Sequence, residues 1–404
     1  MILIAGGGPA GMMLGYLLAR AGIPVTVLEK HKDFLRDFRG DTVHPSTMEI
    51  LTELGLIDRF LTRPHNEMRR VTGSIGGEEF TAGDFSHLPV RCPFIALMPQ
   101  WEFLNFLAEE AKVYPAFHLE METEARDVIE ENGVVTGLRI ARNGVREDRP
   151  ASLVVAADGR ASVIRARAGL EVKEIGTPID VLWMRVPKPS ADAHVPLGNV
   201  VAGRLFVALD RGDYYQCGFV IAKGAFDEIR ANGIAAFRDE IVRVSPALAP
   251  TVGDIVDWDQ VKLLTVKIDH LTRWHRPGLL CIGDAAHAMS PVGGIGINLA
   301  IQDAVATANI LVPRLRAGAV TDSDLAAVQA RREWPTLMTQ RMQAFLQNQI
   351  IRRVLLRTAP IRGIPWPMRL LIRVPFLSRI PARTLGMGLR PEHVSRTLLR
   401  VPTA

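Results

Sequence analysis

A chain of 404 residues is long enough for two or three domains around a large buried core. Its formal charge of +5 is uneven: from Ile350 onward there are eleven arginines, no lysine and one acid, Glu392, so the tail carries +10 and the rest −5, which excludes a chain-wide nucleic-acid-binding character. The three cysteines, Cys92, Cys217 and Cys281, are far apart and odd in number, which excludes a disulfide framework or a CxxC site and points to a reduced, cytoplasmic setting.

The chain opens on a short apolar run, Met1 to Ala5, where a signal peptide would show a longer one. Gly6, Gly8 and Gly11 supply G-x-G-x-x-G around Pro9 and Ala10, Met12 to Arg20 has helical apolar spacing, and Val25 to Leu28 reads as a second buried strand. Glu29 follows Gly11 by 18 positions, with Lys30 next to it. Strand, glycine turn, helix and acid together form a dinucleotide cradle. The turn glycines admit a pyrophosphate to the helix N-terminus, and the acid accepts hydrogen bonds from a ribose.

After the polar loop HKDFLRDFRGDTVHP, Ser46 and Glu49 read as a capping box for a helix that Gly55 ends. Residues 68–98 read as short strands and loops, and Pro99 opens a helix through Ala111. A meander is expected from Phe117–Glu122, Ala125–Ile129 and Val134–Ala141, with hairpin turns at Asn132-Gly133 and Asn143-Gly144. Ser152–Ala157 is an apolar strand that delivers Asp158-Gly159 into a loop. From Glu171 to Trp274, strand-like runs at Val181–Val186, Val200–Leu209, Tyr214–Ile221 and Val261–Ile268 surround one helix near Phe226–Val244. Leu279–Ile282 returns to a buried strand before a long helix, and Asp322–Leu356 reads as another, bent at Pro335. The proline-rich end allows only short helices and turns, and no apolar run reaches the ~18 residues of a spanning helix.

Three separated stretches share one pattern: the N-terminal fingerprint, VVAADGRASVIRARAGL at 154–170, and GLLCIGDAAHAMSPVGGIGINLAIQD at 278–303. With these the chain resembles the class A flavoprotein monooxygenases, the para-hydroxybenzoate hydroxylase-like family, from residue 1 to about 310. The resemblance implies an α/β fold: a Rossmann-type FAD-binding domain (1–170 and 276–320), an inserted β-sheet substrate domain (171–275, with 68–98 contributing to its sheet) and a helical, Arg-rich C-terminal region (321–404).

By the same resemblance Gly6, Gly8, Gly11 and Glu29 match the adenosine-diphosphate site, Arg39 a flavin-contacting arginine, and Gln100 a residue near the ribityl chain. Asp158 and Gly159 match a pair associated with FAD and NAD(P)H. Gly283 and Asp284 match the ribityl carboxylate turn, and Pro291, Gly293, Gly294, Gly296, Ile297 and Asn298 the loop under the isoalloxazine. No second strand-linked G-x-G-x-x-G is present, since GSIGGEE at 73–79 lacks both the spacing and a following helix. A nicotinamide cofactor therefore has no Rossmann domain of its own, and the resemblance implies that NADH or NADPH docks transiently as electron donor.

The implied chemistry is hydroxylation of an apolar aromatic, quinone-like or polyketide-like molecule by O2 through a flavin C4a-hydroperoxide, in a pocket kept dry. Two alternatives share the scaffold: a reductase or dehydrogenase of an isoprenoid or similar lipophilic substrate, and a flavin-binding protein without turnover. Candidate substrate walls are Trp183, Arg185, Phe206, Tyr215, Cys217 and Phe219. Alternation places Tyr215, Cys217 and Phe219 on one strand face and Tyr214 and Gln216 on the other. Tyr214, Tyr215 and His287 are candidates for a catalytic role, each against a structural reading. No nucleic-acid or metal site is expected. Residues 350–404 suit either a peripheral membrane contact or a lid over the site.

Overall fold

The computed structural model describes residues 1–35, 42–190, 194–359, 361, 363–364, 369 and 375–399. Its central sheet is built around strand β1 (Ile2–Ala5), which pairs in parallel with β2 (Val25–Leu28) on one side and with Leu153–Ala156 on the other. Leu279–Cys281 extends the sheet beyond Leu153–Ala156, Phe117–Glu120 extends it beyond β2, and His275–Arg276 closes one edge antiparallel. The three innermost strands are buried along their whole length, as parallel strands covered on both faces must be. Helix α1 (Pro9–Arg20) packs against the helices Gln100–Ala111 and Gly296–Arg316.

A second sheet of seven strands runs in the order Lys262–Leu264, Ile179–Pro187, Tyr214–Ala222, Arg204–Asp210, Gly198–Val201, Arg70–Ile75 and Glu78–Asp84. The GSIGGEE stretch is the tip of its outer hairpin, with Gly76 and Gly77 at φ +59° and +86°.

Some elements depart from the sequence reading. Phe117–Glu120 pairs in parallel with β2, while the meander is Thr123–Glu131, Val134–Arg142 and Val145–Pro150. Its turns do fall on Asn132-Gly133 and Asn143-Gly144, all four at positive φ. Val200–Leu209 is two strands, and the expected single helix breaks at Gly233 into Phe226–Ala231 and Gly233–Val244. Ser46 caps nothing: Pro45 begins that helix, so Ser46 is already inside its first turn, and Glu49 accepts a hydrogen bond from the Arg91 backbone instead. Near the C-terminus the 13-residue helix Pro375–Met387 forms despite Pro381. Among the described residues one helical stretch, Val292–Arg316, is apolar and long enough to cross a membrane, but 78% of its apolar window is buried as the protein's core helix.

The two faces of the seven-stranded sheet have different fates. Leu182, Met184, Phe206, Tyr215, Cys217 and Phe219 point to one side and pack with Phe237 and Ile241 of the helix Gly233–Val244. Phe219 meets Phe206 and Phe237 edge to face at 6.2 and 5.5 Å. Val181, Trp183, Leu205, Val207 and Val220 point to the other side, where they meet Val292, Ile351 and residues of the helix Pro375–Met387. Phe206, Tyr215, Cys217 and Phe219 are therefore core residues and not substrate walls. Phe237→Ala should cost about 3–5 kcal/mol in denaturant unfolding while leaving FAD affinity within about twofold, because the residue supports only the covered face.

Candidate active site

The motif residues collect at the carboxyl ends of adjacent parallel strands. Ala5, Leu28, Ala156 and Cys281 are in register, so Gly6, Glu29, Ala157 and Ile282 leave the sheet side by side. Gly6 (φ +108°) lies so close to the next loop that a Cβ would stand 2.3 Å from the Ala157 carbonyl oxygen. A Cβ on Gly11 would stand 2.0 Å from the Gly6 oxygen. Only glycine lets turn, helix and neighbouring loop meet here. At Gly8 a Cβ would meet nothing within 4 Å, which leaves open space before the N-terminus of α1. That space and the free N–H groups fit a pyrophosphate. Glu29 is 9% exposed, and its carboxylate accepts from the Gly7 and His31 N–H groups, each at 3.1 Å, with His31 Nδ1 at 2.6 Å. Pro9 and Ala10 open the helix, and Lys30 is exposed beside the acid.

Asp158 is more deeply engaged than its sequence context suggests. It accepts from Ser162 Oγ at 2.5 Å and from the Ile164 N–H at 3.2 Å, and so ties its loop to the short helix Val163–Arg167. Burial pushes its carboxyl above the ordinary range despite these bonds. Beyond Gly159, Arg160 pairs with Asp284 at 3.3 Å and joins two of the motif loops. Asp284 itself stays about one-third exposed, as a carboxylate must be to meet a ligand hydroxyl. Arg165, which the sequence reading passed over, donates to both oxygens of buried Asp269 at 3.1 and 3.2 Å and to the Ala285 carbonyl at 3.2 Å. The spacing DGRASVIR carried that signal, but its partner lies 104 residues away.

A second group was also missed. Asp303, fully buried, accepts from the Gly283 N–H at 3.0 Å and from Arg332 Nε at 3.0 Å, with His287 Nε2 at 2.5 Å. Arg332, equally buried, donates to Glu392 at 3.2 Å, to the Arg390 carbonyl at 3.2 Å and to Gln302 at 3.3 Å. Arg331 grips Glu392 through both oxygens at 2.8 and 3.1 Å. Burial raises the Asp303 carboxyl, but His287 and Arg332 outweigh it and hold it below the usual carboxylate range. His287, 1% exposed and 4.9 Å from the Trp274 ring, belongs to this scaffold and faces no open space for a substrate.

The 291–298 loop is fixed from two sides. Asn298 accepts from the His44 N–H at 2.9 Å and from Thr47 Oγ1 at 2.7 Å, and donates to the Gly294 carbonyl at 3.3 Å. Its amide is thus spent on joining loops. Gln343 clasps the backbone of Ser290 and Val292 at 2.9–3.2 Å. Gly293 takes φ +83°, and Gly296 begins the long helix with Ile297 buried behind it. His44 Nδ1 donates to the Leu385 carbonyl at 2.8 Å and secures the C-terminal helix over this loop. Full burial lowers the His44 pKa from 6.5 to about 4, so the ring is neutral.

Of the remaining predicted residues, Gln100 begins the helix Gln100–Ala111 and Pro291 stands at the head of the loop. Arg39 lies outside the described residues. Arg185 stacks its guanidinium 5.2 Å from the Tyr214 ring. Tyr215 is 1% exposed with its phenol pushed up by burial, which leaves it unsuited to proton transfer near neutral pH. Trp183 lies against Gly218 on the face that meets Val292, and its indole N–H is buried with no partner among the described residues. No cluster of metal-ligating side chains occurs among the described residues.

A glycine cradle at the switch of a parallel sheet, a part-exposed carboxylate beside it and a glycine loop opening a core helix fit a dinucleotide-dependent oxidoreductase. Residues 1–342 match the FAD binding domain family, and the chain belongs to that family as an FAD-dependent monooxygenase that uses NADH or NADPH. It is 32% identical over 352 residues to the 6-methylpretetramide 4-monooxygenase of Streptomyces rimosus, covering 87% of this chain and 84% of that one. Similarity to the rifampicin monooxygenase of Streptomyces venezuelae is 28% over 317 residues, covering 75% of this chain but only 62% of that longer protein. The fold superposes on p-nitrophenol 4-monooxygenase from Pseudomonas putida with a TM-score of 0.78 at 20% identity, covering 96% and 98% of the two chains. On the anhydrotetracycline hydroxylase of S. rimosus the TM-score is 0.73 at 22% identity, covering 97% and 76%.

Two outcomes follow from these interactions. Arg332→Met takes the shared guanidinium away from two buried carboxylates and should lose roughly 3–5 kcal/mol in denaturant unfolding, part of which Glu392→Gln in the same background restores. His44 binds no proton in the folded chain until about pH 4 but does so at 6.5 once unfolded, so its contribution is intact above pH 6.5 and is lost as pH falls toward 4. Between about pH 7 and about pH 5 the wild type should lose about 2 kcal/mol more than His44→Gln, as read by urea unfolding at both values.

Proposed function

We propose that this enzyme hydroxylates a polycyclic aromatic, polyketide-like molecule held between the apolar face of the seven-stranded sheet and the flavin. The observation that carries the reading is Trp183: a buried N–H without an acceptor among the described residues, set in an apolar wall beside the 291–298 loop. Such a donor is costly unless a ligand oxygen meets it. A ring ketone or phenol oxygen on an otherwise apolar polycycle has that shape and polarity. The 32%-identical relative, whose name gives 6-methylpretetramide as its substrate, supports the same class.

FAD, once reduced by NADH or NADPH, supplies the activation of O2. The chain contributes the remainder. Gly6 to Gly11 and Glu29 would hold the adenosine-diphosphate end, and Asp284, held by Arg160, would meet the ribityl side. The N-terminus of the helix Gly296–Arg316 carries positive potential that would stabilise negative charge on a reduced ring bound over the 291–298 loop. Val292, Leu385 and Met387 join Trp183, Val207 and Leu209 in excluding water from the reacting carbon. Of the three catalytic candidates only Tyr214 shares the face with Trp183, and we assign it to orienting the substrate with Arg185.

Incubation of flavin-loaded protein with NADH or NADPH, 18O2 and a panel of naphthacene-type polyketides should give a product bearing one 18O atom, with one nicotinamide oxidised per product. Trp183→Phe should raise KM by roughly fivefold to tenfold with kcat within about twofold, the loss of one ground-state hydrogen bond. Nicotinamide oxidation that reduces the substrate without incorporating 18O would replace this reading with the reductase.

A further inference from the structure

We propose that the outer face of the helix Asp322–Leu346 and of its continuation through Arg357 is a docking surface for an anionic lipid bilayer. The helix has two unlike faces. Inward, Val328, Arg332, Thr339, Gln340 and Gln343 are buried. Outward, Trp334, Met338, Arg341 and Phe345 recur at helical spacing, and Trp334 and Phe345 are 55% and 61% exposed. The stripe continues through the π-turn Gln347–Ile351 to the segment after it: Ile350 and Leu356 are 49% and 68% exposed. Large apolar side chains exposed in a row need an occupant.

The charge around them selects the occupant. Arg341, Arg352, Arg353 and Arg357 are exposed among these apolar groups. From Trp334 to Pro391 the sequence holds ten arginines, no lysine and no acid. Cations interleaved with Trp, Phe, Ile and Leu match an anionic headgroup layer over acyl chains: the guanidinium groups meet phosphates while the apolar side chains enter below them. A nucleic-acid backbone would satisfy the arginines but leave Ile350 and Leu356 in water. A second copy of this chain would bring the same positive charge against itself. The tail that the sequence flagged is only partly placed, since 365–368 and 370–374 lie outside the described residues, so the surface rests on 334–357.

The test is co-sedimentation of the flavin-loaded full chain with vesicles of phosphatidylcholine alone or mixed with phosphatidylglycerol. Binding to the mixed vesicles should be at least about tenfold tighter and should weaken with salt. Replacing Arg352, Arg353 and Arg357 by Gln together should weaken it by roughly a hundredfold. Trp334→Ser with Phe345→Ser should remove the salt-resistant part, and both variants should keep wild-type FAD content and nicotinamide oxidation in solution. Equal or absent binding to the two vesicle types by the wild type overturns the proposal without recourse to any variant. So does a stable dimer that Phe345→Ser dissociates, or preferential capture of the protein by double-stranded DNA over the mixed vesicles.

Discussion

Asp303 sets the terms for much of this structure. A carboxylate with no exposed surface cannot remain charged unless several donors replace its lost water, and here three groups do so: the Gly283 N–H, His287 and Arg332. Each belongs to a different part of the chain. Gly283 opens the turn that presents Asp284, His287 lies on the strand that follows, and Arg332 stands in the middle of the helix Asp322–Leu346. Because Arg332 is itself fully buried, it requires Glu392, and Glu392 in turn requires Arg331. Charge neutrality in a dry interior thus fastens the C-terminal stretch to the Gly283 turn, alongside the apolar packing of Val394 and Leu398 in the core.

A comparable economy governs the other side of the cradle. The approach of Gly6 to Ala157 and of Gly11 to Gly6 removes the space any side chain would occupy, so β1, α1 and the Asp158 loop have one relative placement. Asp158 holds that loop through Ser162 and Ile164, Arg160 crosses to Asp284, and Arg165 crosses to Asp269. Two acids that look alike in sequence therefore divide the work by solvation. Asp158 is spent on the backbone it supports, whereas Asp284 keeps part of its surface open.

What could be read from the sequence follows from range. The cradle was legible because its residues act within some thirty positions, and a glycine turn, helix and acid have few physical alternatives. The parallel strands were legible as unbroken apolar runs such as Leu153–Ala156. Phe117–Glu120 was misplaced because an edge strand that borders a meander carries the same alternation whichever partner it takes. The false capping box at Ser46 shows Pro45 winning: its fixed φ starts the helix one residue early and moves the serine inside. Asp303, Arg332 and Glu392 were invisible because each is an ordinary charged residue on a helix or loop until the fold removes the water around all three.

The seven-stranded sheet shows why alternation alone could not choose a substrate wall. Along Tyr214–Ala222 one face carries Tyr215, Cys217, Phe219 and Ile221 and the other Tyr214, Gln216, Gly218 and Val220, and a period of two says only that they separate. The choice is made by what covers each face. The helix Gly233–Val244 brings Phe237 and Ile241 into full contact and leaves no room beside Cys217 and Phe219. The opposite face is covered by the C-terminal helix and the Val292 loop, the parts of the chain that His44, Gln343 and the Asp303 cluster hold in place. A wall closed by a core helix can only pack. The other wall is closed by segments held through hydrogen bonds, and the Trp183 indole N–H set in it has no acceptor among the described residues, so the two faces of the sheet differ in what holds their cover.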